Sequence, residues 1–301
     1  MFYLFLAVLS SSAIALIFKY SENNNMNRFA ITSMNYVVAF STSLIIILSN
    51  IKNFSFENKS LDPIIHNLIN NIKFNEFTSF VWAIIIGSIA GVFFFLSFFL
   101  YQKSIRENGV GLSGAFGKLG ILIPMIFSII FWKEYPNTIQ TVGISFAIFA
   151  IIFVNIPFKK EKIKFNYLLI LLFLFGGMAE FSNKIFQNYS FTKYKEIFLF
   201  FVFFSAFLIS IYFTLKKPKE VQKRDIITGI LVGIPNYFSS FFLIMALDYV
   251  KTSVAFPIFS SGSILFINLG GILIFKEYPS KKDWVAISIT ILALILMNIR
   301  A

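Results

Sequence analysis

Ten long apolar segments, separated by short charged breaks, run along this chain of 301 residues. Each has about the 20 residues that an α-helix needs to cross a bilayer, so ten use about 200 residues. Only 13% of the residues are charged, about half the share in soluble domains, which excludes a water-exposed globular fold. The sequence predicts an all-α membrane protein with one polytopic domain, 1–301. The ten predicted transmembrane helices are 3–19, 29–49, 79–102, 110–132, 139–157, 167–188, 196–215, 225–249, 253–275 and 284–299.

The distribution of the basic residues along the chain predicts the membrane topology. The net charge is +12, but Lys and Arg lie almost entirely in the gaps between apolar segments, whereas a nucleic-acid-binding surface needs a basic face on a soluble module. The connections after odd-numbered spans hold 16 of these residues, and the other connections with the C-terminus hold 8. The positive-inside rule then predicts that both termini lie outside. No nucleic-acid partner is expected.

An internal repeat divides the chain into two halves. Residues 131–155 align without gaps on 274–298, with 11 of 25 positions identical, and both stretches contain the sequence KEYP. The first span aligns with the sixth, which places Lys19 on Lys184. Because each half has five spans, an odd number, the second half enters the membrane inverted, and inverted repeats have their substrate site near the midplane. The predicted repeats are 1–157 and 167–299.

The connection between the second and third spans is longer than its counterpart in repeat two and carries a helical pattern. Asp62 followed by Pro63 is a typical helix start. The pattern predicts a short helix over 62–73 that lies in the membrane interface, on which His66 is expected to be solvated rather than to sense protons. The apolar residues at helical spacing are Ile64, Ile65, Leu68, Ile69 and Ile72.

Two KEYP boundaries, Lys133 to Pro136 and Lys276 to Pro279, precede helices that contain small residues and end in Asn. Glu134 and Glu277 are predicted to cap the helices that they begin. With its five-plus-five repeat, the chain resembles the EamA-type ten-helix transporters of the drug/metabolite transporter superfamily. The resemblance implies a basket in which spans 1, 3, 4, 6, 8 and 9 surround a central cavity, with spans 5 and 10 peripheral. It also implies cytoplasmic termini, opposite to the charge count, so the orientation stays open.

Three charged side chains stand out because they lie well inside predicted spans, where each costs about 2.5–3.5 kcal/mol on insertion scales and is therefore a functional candidate. Glu180 and Lys184 are spaced i, i+4, so either they neutralise each other, or Glu180 faces the cavity and binds a substrate ammonium or exchanges a proton. Lys118 either pairs with Glu180, binds a substrate carboxylate or phosphate, or extends to the interface. The small multidrug relatives of this family use a first-helix Glu for proton-coupled cation export, but the matching residue here is Ala15.

Polar and aromatic side chains within the spans are further candidates. Asn236 follows Pro235, where a kink leaves backbone carbonyls available to a ligand, and Ser261 is the repeat counterpart of Lys118. Hydrogen bonding between helices explains each of these side chains at least as well. The predicted substrate-binding residues are Glu180, Lys118, Asn183, Asn236, Tyr237, Trp82 and Ser261, with Asn35 and Asn268 secondary, and the predicted coupling or gating residues are Glu180, Lys184 and Lys19.

The predicted function is a secondary transporter that exports a small amino-acid-like, zwitterionic or amine metabolite by alternating access between the two repeats. The alternative is a flippase for a phosphate-bearing lipid or lipid-linked sugar, which would also use lysines in a groove. With no cysteine and one histidine, an enzyme is not expected. No cofactor is expected, and proton coupling, sodium coupling and substrate exchange stay open. The expected partners are the small-molecule substrate and membrane lipid, in a monomer or homodimer of a prokaryotic inner membrane.

Overall fold

The computed structural model describes residues 1–50, 60–108, 117, 120–155, 167–216, 220–276 and 281–298. Every regular element in this part of the chain is helical. The helices are α1 (Phe2–Asn23), α2 (Arg28–Ser49), α3 (Ile64–Ile69), α4 (Glu76–Asn108), α5 (Leu122–Trp132), α6 (Thr138–Asn155), α7 (Tyr167–Tyr189), α8 (Lys195–Lys216), α9 (Lys223–Leu247), α10 (Thr252–Phe275) and α11 (Lys281–Asn298), with a 3-10 turn (Thr192–Tyr194) before α8.

The helix lengths agree with a multi-pass membrane protein. Seven helices of the described part are long and apolar enough to cross a bilayer, namely α1, α2, α4, α7, α8, α9 and α10. Helix α5 and residues 138–150 of α6 are apolar but shorter, and part of the predicted span 110–132 lies outside the described residues. The all-α membrane fold is therefore confirmed, whereas the count of ten spans and their inverted arrangement stay predictions.

The helix ends form two opposite faces of the bundle. At the face that carries α3, the Tyr189 hydroxyl at the end of α7 donates to Asn71 Oδ1 (2.9 Å) and accepts from Trp132 Nε1 at the end of α5 (3.2 Å). At the other face, the backbone N–H of Asn27, just before α2, donates to Asp225 in the first turn of α9 (3.0 Å). We call these the α3 face and the Asp225 face. The basic-residue count predicts that the Asp225 face is cytoplasmic.

The helix predicted over 62–73 is shorter in the structure, where α3 covers six residues. Asp62 does not cap α3, because its carboxylate accepts hydrogen bonds from the backbone N–H and the side chain of Asn75, just before α4 (2.5 and 2.9 Å). Asn71 adopts a left-handed conformation (φ 53°) just after α3 ends. Ile65 and Ile69 of α3 are exposed.

Glycines let two pairs of helices approach until their backbones touch. In α4, a Cβ on Gly87 or Gly91 would lie 2.6 or 2.4 Å from carbonyl oxygens of α8. In α9, a Cβ on Gly229 or Gly233 would lie 2.9 or 2.7 Å from carbonyl oxygens of α2. Both pairs have the Gly-x-x-x-Gly spacing, which places two glycines on one helix face. We call these contacts the glycine seams, and each joins a helix of one predicted repeat to a helix of the other.

The remaining helices pack around the four helices of the glycine seams, and their contacts correspond between the two predicted repeats. Helix α1 packs against α9 and α10, and α7 packs against α4 and α5. Helices α6 and α11, which correspond to the predicted spans five and ten, pack against each other. Lys133 at the end of α5 and Lys276 just after α10, which are equivalent in the KEYP alignment, both turn the chain in a left-handed conformation (φ 54° and 53°).

Candidate functional site

A cavity of about 160 Å³ lies in the middle of the bundle, between α1, α2, α4, α7 and α9. Among the lining residues that the structure describes, Glu180 carries the single charge, and it lies near the middle of α7. Amide and hydroxyl groups come from α2, α4 and α9, and the rest of the wall is apolar or aromatic. The lining residues are Ile14, Phe18, Asn35, Tyr36, Phe94, Ser97, Phe98, Gly176, Ala179, Glu180 and Asn236.

The Glu180 carboxylate is oriented by its neighbour on the same helix. Asn183, which is fully buried, donates from Nδ2 to Glu180 Oε2 (3.2 Å). The amide oxygen Oδ1 of Asn183 is buried and has no hydrogen-bond partner among the described residues. This hydrogen bond fixes the position of one carboxylate oxygen in the cavity wall.

Two asparagines form an amide pair across the cavity wall. Asn236 Nδ2 in α9 donates to Asn35 Oδ1 in α2 (3.0 Å), so this bond joins helices of the two predicted repeats. This bond uses one N–H of Asn236 and one lone pair of Asn35. It does not use the NH₂ group of Asn35 or the carbonyl oxygen of Asn236, which are groups that a ligand can bind. Asn236 directly follows the in-helix Pro235. It pairs with a neighbouring helix and also lines the cavity, which are the two roles that the sequence suggested for it.

Aromatic rings cover much of the remaining wall. The rings of Phe18 in α1 and Phe98 in α4 lie 5.0 Å apart between centroids. Tyr36 and Phe94 line the cavity from α2 and α4. Aromatic faces attract organic cations through the ring quadrupole, most strongly where water is excluded. A carboxylate surrounded by such rings is suited to an ammonium group.

Lys184 is paired with Glu134 in the structure, a partner that neither sequence interpretation considered. Its ammonium Nζ lies 2.5 Å from Glu134 Oε1 and 3.1 Å from Gln187 Oε1, and 5.2 Å from the centre of the Trp132 ring. Lys184 is 3% exposed. The i, i+4 spacing correctly places Glu180 and Lys184 on one helix, but the counter-charge comes from the corner between α5 and α6.

Glu134 caps a different helix from the one predicted. Its second oxygen, Oε2, accepts the backbone N–H of Thr252, the first residue of α10 (2.9 Å). Helix α6, which Glu134 precedes, begins instead with reciprocal hydrogen bonds between Asn137 and Gln140 (3.1 and 2.7 Å). The matching Glu277 lies outside the described residues.

These contacts form one polar cluster on the α3 face. Gln187 extends the cluster to α9, because its Nε2 donates a hydrogen bond to Asp248 at the end of that helix (3.0 Å). We call Glu134, Lys184, Gln187, Asp248 and the Thr252 N–H the Lys184 cluster. It ties the α5–α6 corner to α7, α9 and α10, and thus joins the two predicted repeats at this face.

Other predicted site residues lie away from the cavity. Tyr237 is fully buried, with its ring 6.4 Å from that of Phe203 and 5.2 Å from that of Phe238. The Trp82 ring lies 5.2 Å from that of Phe74 near the α3 face, and the buried Trp82 Nε1 has no hydrogen-bond partner in the described part of the chain. These two aromatic side chains are packing residues in this conformation.

Three further candidates have other surroundings. Ser261 donates to the carbonyl oxygen of Pro257 in its own helix (2.5 Å). The Lys19 ammonium lies 5.3 Å above the Phe275 ring, where α1 and α10 end together. Lys118 and the side chain of Asn268 lie outside the described residues.

Several cavity residues were not found from the sequence. Phe18, Tyr36, Ser97 and Phe98 lie in apolar segments where one face contacts lipid and another the cavity. Both faces are apolar, so hydropathy does not separate them. The alignment of predicted span one on span six is a signal that identifies Phe18 as a candidate. It places Phe18 at the position of Asn183, next to the two lysines that are equivalent in the repeat.

Comparison with known proteins identifies the fold and the family of this chain. A protein of Haemophilus influenzae that is described as uncharacterized is 21% identical over 297 residues, which cover 97% of this chain and 95% of the relative. A protein of known crystal structure has the same fold, with a TM-score of 0.70 and 12% identity over 99% of this chain and 95% of that one. The model of the EamA-like transporter family matches residues 1–156 and 163–299. The chain therefore belongs to the EamA-like transporter family, within the drug/metabolite transporter superfamily, and the resemblance seen in its sequence is confirmed.

Proposed function

We propose that this transporter is a secondary exporter of a small metabolite that carries an ammonium group, either an amine or a zwitterion. The observation that carries the proposal is the Glu180 carboxylate in the wall of a cavity in the middle of the bundle. A carboxylate in the wall of a cavity within the membrane is a functional candidate by default. An ammonium group would bind to this carboxylate, and the aromatic wall would contact the alkyl groups of the substrate.

The cavity also limits the size and charge of the substrate. Its volume of about 160 Å³ is below the about 300–1,000 Å³ of pockets for drug-sized ligands. A flippase for a lipid-linked sugar needs a longer groove and cations for the phosphate, whereas the lining described here carries a negative charge. These properties favour the small amine over the phosphate-bearing lipid.

Alternating access is the mechanism that we propose, with the cavity open to one membrane face at a time. Corresponding helix contacts support two inverted repeats, because the α4–α8 seam matches the α9–α2 seam, and the α1–α9 contact matches α7–α4. Glu180 can bind either a proton or an ammonium, so proton-coupled transport and substrate exchange both use the same residue.

A ligand screen tests this proposal. We expect primary amines, quaternary amines or amino acids to raise the thermal unfolding midpoint of the purified protein, because a ligand that binds only the folded state stabilises it. The best compound should then show counterflow in proteoliposomes. Stabilisation by sugar phosphates alone would overturn the amine proposal and support the flippase.

Asn236→Leu should weaken binding of the amine found in that screen by about tenfold, because it removes one hydrogen-bonding amide from the cavity. Isothermal titration of the purified variant measures the change. Ser239→Ala, a polar-to-apolar change on the same helix outside the cavity lining, is the matched control and should bind as the unaltered protein does. Equal affinities for Asn236→Leu and the control would remove the amide pair from the site.

A further inference from the structure

The Lys184 cluster joins the ends of several helices on the α3 face, and a buried ion pair is at its centre. We propose that this pair, Lys184 with Glu134, is a latch that holds the α3 face closed. The inference rests on the alternating access proposed above, because it names the contact that sets the balance between the two conformations. The latch acts in the empty transporter, so its test needs no ligand.

The α3 side of the central cavity is closed in this structure. Lining residues such as Phe18 of α1 and Phe98 of α4 lie in the halves of their helices that are nearer the opposite face. Closer to the α3 face, buried apolar residues of α1, α9 and α10 pack together, among them Leu4 and Phe256. A substrate that leaves through the α3 face therefore requires these helix ends to separate.

The ion pair fastens three parts of this face. Lys184 of α7 is 3% exposed, and its ammonium group contacts Glu134 in the α5–α6 corner. The other oxygen of Glu134 accepts the backbone N–H of Thr252, where α10 begins (2.9 Å). Removal of one partner from a buried ion pair is costly, because the other charge stays buried without its counter-charge. Water hydrates Lys184 when the face opens, so this cost falls on the closed conformation.

Three buried hydroxyl groups next to the latch have no hydrogen-bond partner among the described residues. Thr252 Oγ1 and Ser253 Oγ lie in the first turn of α10, and Ser128 Oγ lies in α5. The carbonyl oxygen of Ser128 accepts the backbone N–H of Glu134 (3.3 Å), which places this serine beside the latch. A buried hydroxyl without a partner is unfavourable, and water can bind it once the helix ends separate. These groups therefore favour opening, and the ion pair opposes it.

Two serines should respond in opposite ways when the latch is broken. Ser253 is fully buried on the α3 side, whereas Ser97 lines the cavity and is partly exposed. Opening of the α3 face exposes Ser253 to water. Alternating access closes the opposite face in the same movement, which makes Ser97 less accessible.

Labelling of single cysteines tests the latch, because the chain has no cysteine of its own. Ser253→Cys and Ser97→Cys are the two reporters, made in separate proteins and placed in lipid nanodiscs, where both faces are accessible. N-ethylmaleimide is the reagent, since it is uncharged, and mass spectrometry of the intact protein measures the labelling rate. Glu134→Gln should raise the rate at Ser253→Cys by about tenfold and lower that at Ser97→Cys by about twofold, as expected if the open conformation becomes as populated as the closed one.

A double variant shows whether the unpaired charge causes these changes. Glu134→Gln combined with Lys184→Met leaves no buried charge without a partner, so both rates should return toward those of the reporters alone. Glu76→Gln, which breaks the exposed ion pair with Lys193 on the same face, is the matched control and should leave both rates unchanged. If the double variant does not fold, Glu134→Gln decides alone.

The outcomes separate the latch from the proposed substrate. Unchanged rates at both reporters in Glu134→Gln would overturn the latch, and amine counterflow by the unaltered protein would still support the proposed function. A higher rate at Ser253→Cys without a lower rate at Ser97→Cys would show local loosening of one face and would also overturn the latch. The expected pair of changes would support the latch even if the ligand screen contradicts the amine proposal.

Discussion

Glu180→Gln should abolish amine counterflow in proteoliposomes, with a loss of about 100-fold or more in initial rate, and leave the protein folded. The glutamine keeps the shape of the side chain, and its carbonyl oxygen can still accept from Asn183. It removes the charge that would bind the ammonium or carry the proton. The loss is therefore expected in transport, with little change in the elution profile of the purified protein.

Glu76→Gln is the control for this experiment, because it makes the same chemical change at an exposed carboxylate on the α3 face. It should transport at the rate of the unaltered protein. Reconstitution of equal amounts of both variants, checked by freeze-fracture or by quantitative blotting, makes the rates comparable. Counterflow by Glu180→Gln at the control rate would show that the cavity carboxylate is not part of the transport mechanism.

Gly91→Ala should destabilise the protein by about 1–3 kcal/mol, because overpacking of a tight contact has that cost. The added Cβ would lie 2.4 Å from the Val202 carbonyl oxygen, which is backbone and cannot turn aside. The two helices of this seam must move apart to accept it. Unfolding in increasing concentrations of sodium dodecyl sulfate, followed by tryptophan fluorescence, measures the change.

Gly117→Ala is the same substitution at a place with room for it. Among the described residues of the neighbouring helices, the nearest atoms to its Cβ, in Leu172 and Tyr101, would lie 3.9 Å away, which is ordinary contact distance. Because this added methyl group makes only ordinary contacts, this variant should be about as stable as the unaltered protein. Equal stability of the two variants would mean that the α4–α8 seam does not hold the backbones together.

The sequence predicted the helical segments well, because the bilayer requires long apolar runs and the charged breaks mark their ends. The predicted span 167–188 corresponds to α7, and 225–249 to α9, within two residues at each boundary. The prediction of 62–73 was longer than α3. Asp62 binds Asn75 across the connection, and a contact between residues 13 apart cannot be read from a local capping pattern.

The partner of Lys184 shows why the site was predicted only in part. The spacing on α7 identified Glu180 and Lys184 as a pair that can meet, but whether they do depends on which other charge approaches. Lys133 adopts a left-handed conformation just after α5, which turns the α5–α6 corner toward α7 and brings Glu134 to Lys184. Local sequence predicted a cap at Glu134, and the tertiary fold decided which helix receives it.

The glycine seams bear on which parts of the transporter can move. Helices α4 and α8 are in backbone contact, as are α2 and α9, and α2 also packs against α8. These four helices, two from each predicted repeat, thus form a common frame. Closely packed helices can slide by small amounts but do not part easily. The boundary between stationary and moving parts therefore crosses both repeats, and spin labels on α2 and α8 should keep their separation while the α3 face opens and closes.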